Sequence, residues 1–207
     1  MTRIVRCAAA ALFALSLTWA AAVAADASPI AIIDELHGTL LGVMKDAQAL
    51  GYAGRYERIR PVIDRHFDLD FMARFVLGPG WKELSPADQE RWREAFEHIS
   101  AATYAGRFTG YGGERFRTLG EEPGAEGTVF VRTVLDRPDG EDVELTYRLR
   151  STDGAWKIVD VYQKGTVSEL ALRRSEYSTV LKREGFAKLL ASVHAKAADY
   201  AAGKVNG

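Results

Sequence analysis

The hydrophobic period of this chain changes twice, and those changes limit its fold more than any other feature. Across residues 29–109 apolar side chains recur at three- and four-residue spacing. Across residues 127–163 they alternate, and after Gly165 the helical spacing returns. A block of helices, then strands joined at hairpin lengths, then helices again reads as an α+β chain with an antiparallel sheet.

Ser28-Pro29 opens the first helix with a capping serine and a proline at the first helical position. Ile33, Leu36, Leu40 and Met44 form its apolar face, and Gly51 is its expected end. Tyr56, Ile59, Val62, Ile63 and Phe67 mark a second helix, limited or kinked by Pro61. Asp68 or Asp70 caps a short third helix through Phe71, Phe75 and Val76. Ser85-Pro86 opens a fourth along Trp92, Phe96, Ile99 and Thr103, which ends before Gly110-Tyr111-Gly112-Gly113. Strands are expected at 127–135, 142–150 and 156–163, with a weaker one at 114–119. Arg137-Pro138-Asp139-Gly140 and Thr152-Asp153-Gly154 supply the turns. Ser168 caps a helix through Leu170, Tyr177 and Leu181, and a last helix carries Leu189, Leu190 and Val193. The helices are expected to pack on the dry face of a curved sheet.

Residues 1–25 read as a secretory signal peptide. Arg3 and Arg6 precede an apolar run at 7–19, small residues follow, and Val23-Ala24-Ala25 offers a cleavage site. The run is shorter than the roughly 20 residues a membrane span needs. The expectation is one exported domain, 26–207. Cys7 is the only cysteine, so after cleavage no disulfide, thiol catalysis or Cys-ligated metal remains. A formal charge of −1 leaves no electrostatic footprint for nucleic acid.

Chemistry-bearing motifs are scarce. His37, His66, His98 and His194 show no metal-ligand spacing. His66 stands near Asp64, Asp68 and Asp70, which reads as a helix end with capping carboxylates more readily than as an acid–base cluster. The glycines at 110–113 follow a helix, so they read as a helix stop and not as a phosphate cradle. Asp160 lies inside an apolar strand and needs a partner if buried. Its readings are a general base in a cone-shaped pocket, a structural ion pair with Arg174 and a surface position on a wet sheet face, the ion pair being favoured over the general base.

Aromatic and branched apolar side chains are abundant instead. Phe71, Phe75, Trp81, Phe96, Tyr104, Phe108 and Tyr111 come from the middle helices. Val129, Val131, Val143, Leu145 and Tyr147 come from the sheet. If helices and sheet fail to close completely, these residues line an apolar pocket of the usual ~300–1,000 Å³. In that case Val131→Phe would be tolerated and would only reduce ligand capacity. An exported domain with such a pocket and no catalytic set points to a lipid-sized ligand. The rivals are an interaction module without a ligand and an enzyme using Asp160.

One further set of residues is ordered along the whole chain. In the first half it is Phe67-x-x-x-x-Met72, Leu77-Gly78, Trp81, Ser85-Pro86-x-x-Gln89 and Tyr104. In the second it is Tyr147-x-Leu149, Trp156-Lys157-Ile158-Val159-Asp160-Val161, Gly165-Thr166-Val167-Ser168 and Arg174-x-x-Tyr177. This ordered set resembles the MlaC family, the periplasmic components of the Mla and toluene-tolerance lipid transport systems. The stretch from Lys164 to Tyr177 is similar to the hopanoid-associated HpnM branch, although Glu169 and Arg173 depart from the usual family form. The resemblance implies an NTF2-like cone that is not an enzyme and has no cofactor. It implies phospholipid or hopanoid as cargo, carried through the periplasm in support of outer-membrane lipid asymmetry. The implied partners are an inner-membrane MCE-type or RND-type transporter and an outer-membrane lipoprotein.

Overall fold

Helix caps written into the sequence begin four of the six helices. The structure, a computed structural model, describes residues 27–204; the signal peptide read at 1–25 lies outside the described residues. In α1 (Pro29–Lys45) the Ser28 hydroxyl accepts from the Ala31 amide at 3.2 Å, and Ile33, Leu36 and Leu40 are fully buried. The chain turns at Asp46, earlier than the Gly51 expected as the helix end, and carries Ala47 into the core. Gly51 instead kinks α2 (Ala47–His66) with φ 58° and ψ −172°, a conformation open essentially to glycine alone. Pro61 lies inside α2 without ending it, because Ile59, Val62 and Ile63 anchor the helix on both sides.

Asp68 caps α3 (Leu69–Leu77) by accepting from the Phe71 amide. A 3-10 turn (Gly78–Glu83) leads to Ser85, which caps α4 (Pro86–Arg107). The Trp92 indole of α4 donates to the Ala73 carbonyl at 2.9 Å and pins α4 to α3. α4 also packs on α2 and α6. At Gly106 it approaches α6 so closely that a Cβ would stand 2.4 Å from the Tyr200 ring. α5 (Glu169–Glu184) and α6 (Phe186–Ala201) meet at Gly185.

The strands are β1 (Arg115–Pro123), β2 (Thr128–Asp136), β3 (Val143–Thr152), β4 (Ala155–Gln163) and β5 (Val167–Ser168). They form one antiparallel meander in chain order. The two-residue turn Asp153-Gly154 has both φ values positive, which matches the twist of the β3–β4 hairpin. Val131, Tyr147 and Val161 lie opposite one another, as do Leu149 and Ile158. These residues face the helices and join one buried core. Between Arg148 and Leu149 the β3–β4 register shifts, so that Arg148 faces Asp160 while Leu149 faces Ile158. Val159 is the extra residue of this bulge. It puts Ile158 and Val161 on one face despite their odd spacing and takes Asp160 off that face.

Asp160 is buried, and its partners are not the expected arginine. Its carboxylate accepts from the Val161 amide at 2.7 Å, the Ser168 hydroxyl at 2.6 Å and the Leu170 amide at 3.1 Å. Ser168 in turn accepts from the Ala171 amide. The strand carboxylate and the capping serine together receive the first amides of α5, where an anion is favoured. Arg174 lies elsewhere, with its guanidinium 4.6 Å from the centre of the Phe75 ring. The expected Asp160–Arg174 pair is therefore corrected: one strand amide, one helix amide and a hydroxyl already satisfy the carboxylate. Burial pushes the Asp160 carboxyl above its ordinary range, and its hydrogen bonds oppose that push. Asp160→Ala leaves three donors without their acceptor and is expected to lower unfolding stability by about 3 kcal/mol in urea titration. Asp160→Asn, which keeps an acceptor oxygen, is expected to lose less.

Candidate functional site

Between the last turn of α4 and the β2–β3 hairpin the core does not close. α4 stops at Arg107, with Phe108 as its C-cap, and a cavity of about 270 Å³ remains beyond it. Thr103, Tyr104, Arg107 and Phe108 form the helical wall. Leu135, Val143, Leu145, Tyr147 and Val161 form the sheet wall. Tyr104 and Phe108 are four residues apart on one helical face, and their rings stack 6.0 Å apart. The Tyr147 hydroxyl meets His37 Nε2 of α1 at 3.0 Å, and the His37 ring lies flat on Phe116 at 3.8 Å.

At one end this apolar wall gives way to polar groups. Arg107 Nη1 donates to Glu169 Oε1 at 2.8 Å, and the Gln163 side-chain amide donates to the same oxygen. The ends of α4 and β4 and the start of α5 converge there. Thr103, Arg107, Gln163 and Glu169 also border a second cavity of about 240 Å³, next to Arg173, Glu176 and Lys196 beneath α5 and α6. Burial works against the Arg107 charge, but the Glu169 carboxylate outweighs it and holds the guanidinium above its ordinary pKa.

Five of the residues read from the sequence as pocket candidates meet at the cavity: Tyr104, Phe108, Val143, Leu145 and Tyr147. The others lie elsewhere. Phe96 is fully buried beside Trp92, and Val131 is fully buried in the core. Val129 packs against that core from its edge. Phe71, Phe75 and Trp81 each lie under a guanidinium, from Arg150, Arg174 and Arg93 respectively. Tyr111 is exposed, with Lys45 over its ring. Thr103, Arg107, Leu135, Val161, Gln163 and Glu169 were not among the sequence candidates. Thr103 and Arg107 share a helical face with Tyr104 and Phe108, so the spacing carried that signal. For Gln163 and Glu169 only the meeting of element ends brings them in.

The acidic residues around His66 are dispersed. Asp68 pairs with Arg150, Asp70 with Arg74 and Arg93, Asp64 with Arg60, and His66 meets Glu35 at 2.8 Å. Among the described residues no group of three or more His, Cys, Asp or Glu side chains is placed to hold a metal.

His37, in contact with Tyr147 of the cavity wall, makes the stability of the fold sensitive to acid. Burial pushes its pKa down to about 3, and Nδ1 has no partner among the described residues, so protonation would bury an unpaired charged N–H. The unfolded chain takes up that proton near pH 6.5. This contribution to stability is therefore complete above pH 6.5 and is lost as pH falls toward 3. Between pH 6.5 and 4.5 it amounts to about 2–3 kcal/mol. The wild type minus His37→Gln difference, followed by denaturant titration across that range, is expected to show it. A second pair of variants separates core from cavity. Val131→Phe, with no free space around it, is expected to cost about 1–3 kcal/mol, and Leu145→Trp, whose added atoms enter the cavity, less than about 1 kcal/mol, both read from thermal melts. This corrects the expectation that Val131 borders the pocket.

Two comparisons bear on this geometry. A phospholipid-binding protein from Ralstonia solanacearum, solved in complex with a phospholipid, has the same fold. Its TM-score is 0.72 at 21% identity, with 86% of this chain and 99% of that chain covered. The sequence model of the MlaC protein family matches residues 34–195, which takes in all five strands and nearly all of the helical scaffold around the cavity. The chain belongs to the MlaC family, a family of lipid-binding carrier proteins and not of enzymes.

Proposed function

We propose that this chain is a periplasmic carrier that takes the acyl chains of a phospholipid into the cavity between α4 and the sheet and moves the lipid between the inner and outer membranes. The observation that carries the reading is the apolar wall made by Tyr104, Phe108, Leu135, Val143 and Leu145, which ends abruptly in the polar group of Arg107, Gln163 and Glu169. An amphiphile with an apolar tail and a polar head matches that division. Each methylene kept out of water is worth ~0.8 kcal/mol, so a lipid can leave a bilayer only for a cavity that covers its acyl chains comparably, as this apolar wall would. The Ralstonia solanacearum protein of the same fold, solved with a phospholipid, supports the choice of cargo.

Export fits the signal peptide read at 1–25, with Asp26 as the first residue of the carrier. Release requires an acceptor that binds lipid comparably or favours an open form, since only differential affinity moves the equilibrium. An inner-membrane MCE-type transporter and an outer-membrane lipoprotein supply those roles. The resemblance of 164–177 to the HpnM branch makes hopanoid the alternative cargo, with an RND-type transporter at the inner membrane.

The test is mass spectrometry of lipid extracted from the protein after detergent-free purification from the periplasm. Stoichiometric phospholipid is expected. Hopanoid in its place would change the cargo and keep the carrier. An empty protein that also takes up nothing from labelled vesicles would sink the carrier reading.

A further inference from the structure

We propose that Arg107 recognises the phosphate of an anionic glycerophospholipid whose acyl chains fill the apolar cavity, and that Glu169 is a built-in carboxylate occupying this position until the lipid arrives. The proposal rests on the carrier reading and adds the side chains that hold the head group.

Arg107 is the last residue of α4 and borders both cavities, so its guanidinium stands where the apolar wall ends. A guanidinium carries five N–H donors. Among the described residues Arg107 uses one group, Nη1, on Glu169 Oε1 at 2.8 Å. The contact is single-point and leaves the remaining donors for a second oxyanion. Arg173, one turn along α5 from Glu169, is the next cation. Its contacts among the described residues are the Thr103 hydroxyl at 3.5 Å and the face of the Phe96 ring. Beyond it Glu176 and Lys196 face each other at 3.7 Å. Glu169 thus pairs with Arg107 alone, and Arg173 has no carboxylate partner among the described residues.

Phosphate offers an arginine the same oxyanion geometry as a carboxylate, with more acceptors for a fork. Glu169 can therefore yield Arg107 to a lipid phosphate without leaving a half-buried charge unpaired, a state that would be costly. Displaced, Glu169 remains in the first turn of α5, where a negative charge is favoured, and it is partly exposed to water. A neutral lipid offers Arg107 no such exchange.

The test compares two probes that differ only in phosphate. Vesicles carry a fluorescent-acyl phosphatidic acid or the diacylglycerol with the same chains, and the full exported chain is the acceptor. The wild type is expected to take up phosphatidic acid on the order of tenfold better than diacylglycerol, the size of one charge-assisted hydrogen bond. Arg107→Gln is expected to bring that ratio near one, and Glu169→Gln to raise it. Arg107→Lys, which keeps the charge without the fork, is expected to fall between, and it decides the matter if the glutamine variant does not fold. A ratio unchanged in Arg107→Gln overturns the proposal and leaves the carrier reading standing. Uptake of neither probe by the wild type overturns the carrier reading itself. Inorganic phosphate is the third arm. Weak competition is expected, because it brings no apolar chain; competition equal to that of phosphatidic acid would make this a free-phosphate site and overturn the proposal.

Discussion

A carboxylate inside an apolar strand must find donors when it is buried, and in this protein the donors belong to the next helix. Asp160 receives the Leu170 amide and the Ser168 hydroxyl, so β4, the short β5 and the start of α5 form one hydrogen-bonded unit. That unit fixes where α5 begins. Glu169, the first residue of α5, is thereby set opposite Arg107 at the end of α4. Without the Val159 bulge, strict alternation would place Asp160 on the face shared with Ile158, among the core side chains. The bulge and the cap solve one problem together: the charge leaves the core, and its cost is offset by the Ser168 hydroxyl and by the Leu170 amide, a helix N–H that needs an acceptor in any case.

The cavity follows from a mismatch of lengths. The core end of the sheet is filled by Val131, Leu149 and Ile158 against the helices. The other end, at Leu135, Val143 and Leu145, extends past the point where α4 stops. Leaving about 270 Å³ unfilled would cost at most about 6 kcal/mol if the space were sealed and dry. The space is open at one end, so the true cost is smaller. An acyl chain recovers that cost by restoring contacts with side chains that the fold itself leaves uncovered.

The helices and strands were largely legible because the signals that set them are local. Ser28, Ser85 and Ser168 each cap the helix they precede, and Asp153-Gly154 makes the turn its residues demand. The exceptions have local causes too: Gly51 takes a conformation that bends the chain without ending the helix, and Pro61 is held inside α2 by its buried neighbours. The site was legible only in part. Twelve apolar residues shared the composition and spacing of a pocket wall, and five of them border the cavity. Phe96 and Val131 lie in filled core, while Phe71, Phe75 and Trp81 lie under arginines; in the sequence they look the same as Tyr104 and Leu145.

By itself the sequence determined the class of the fold, the order of its elements and the apolar faces they present, since these depend on hydrogen bonds and side-chain spacing within a few residues. The tertiary structure decided which faces close on one another and which remain open. It also decided that Asp160 caps α5, leaving Arg174 against Phe75, and that Arg107 meets Glu169 across 62 positions of chain. Those outcomes depend on where α4 ends relative to the β2–β3 hairpin and on a one-residue slip in the β3–β4 register. Both are set by the packing of the whole core, which no local stretch of sequence contains.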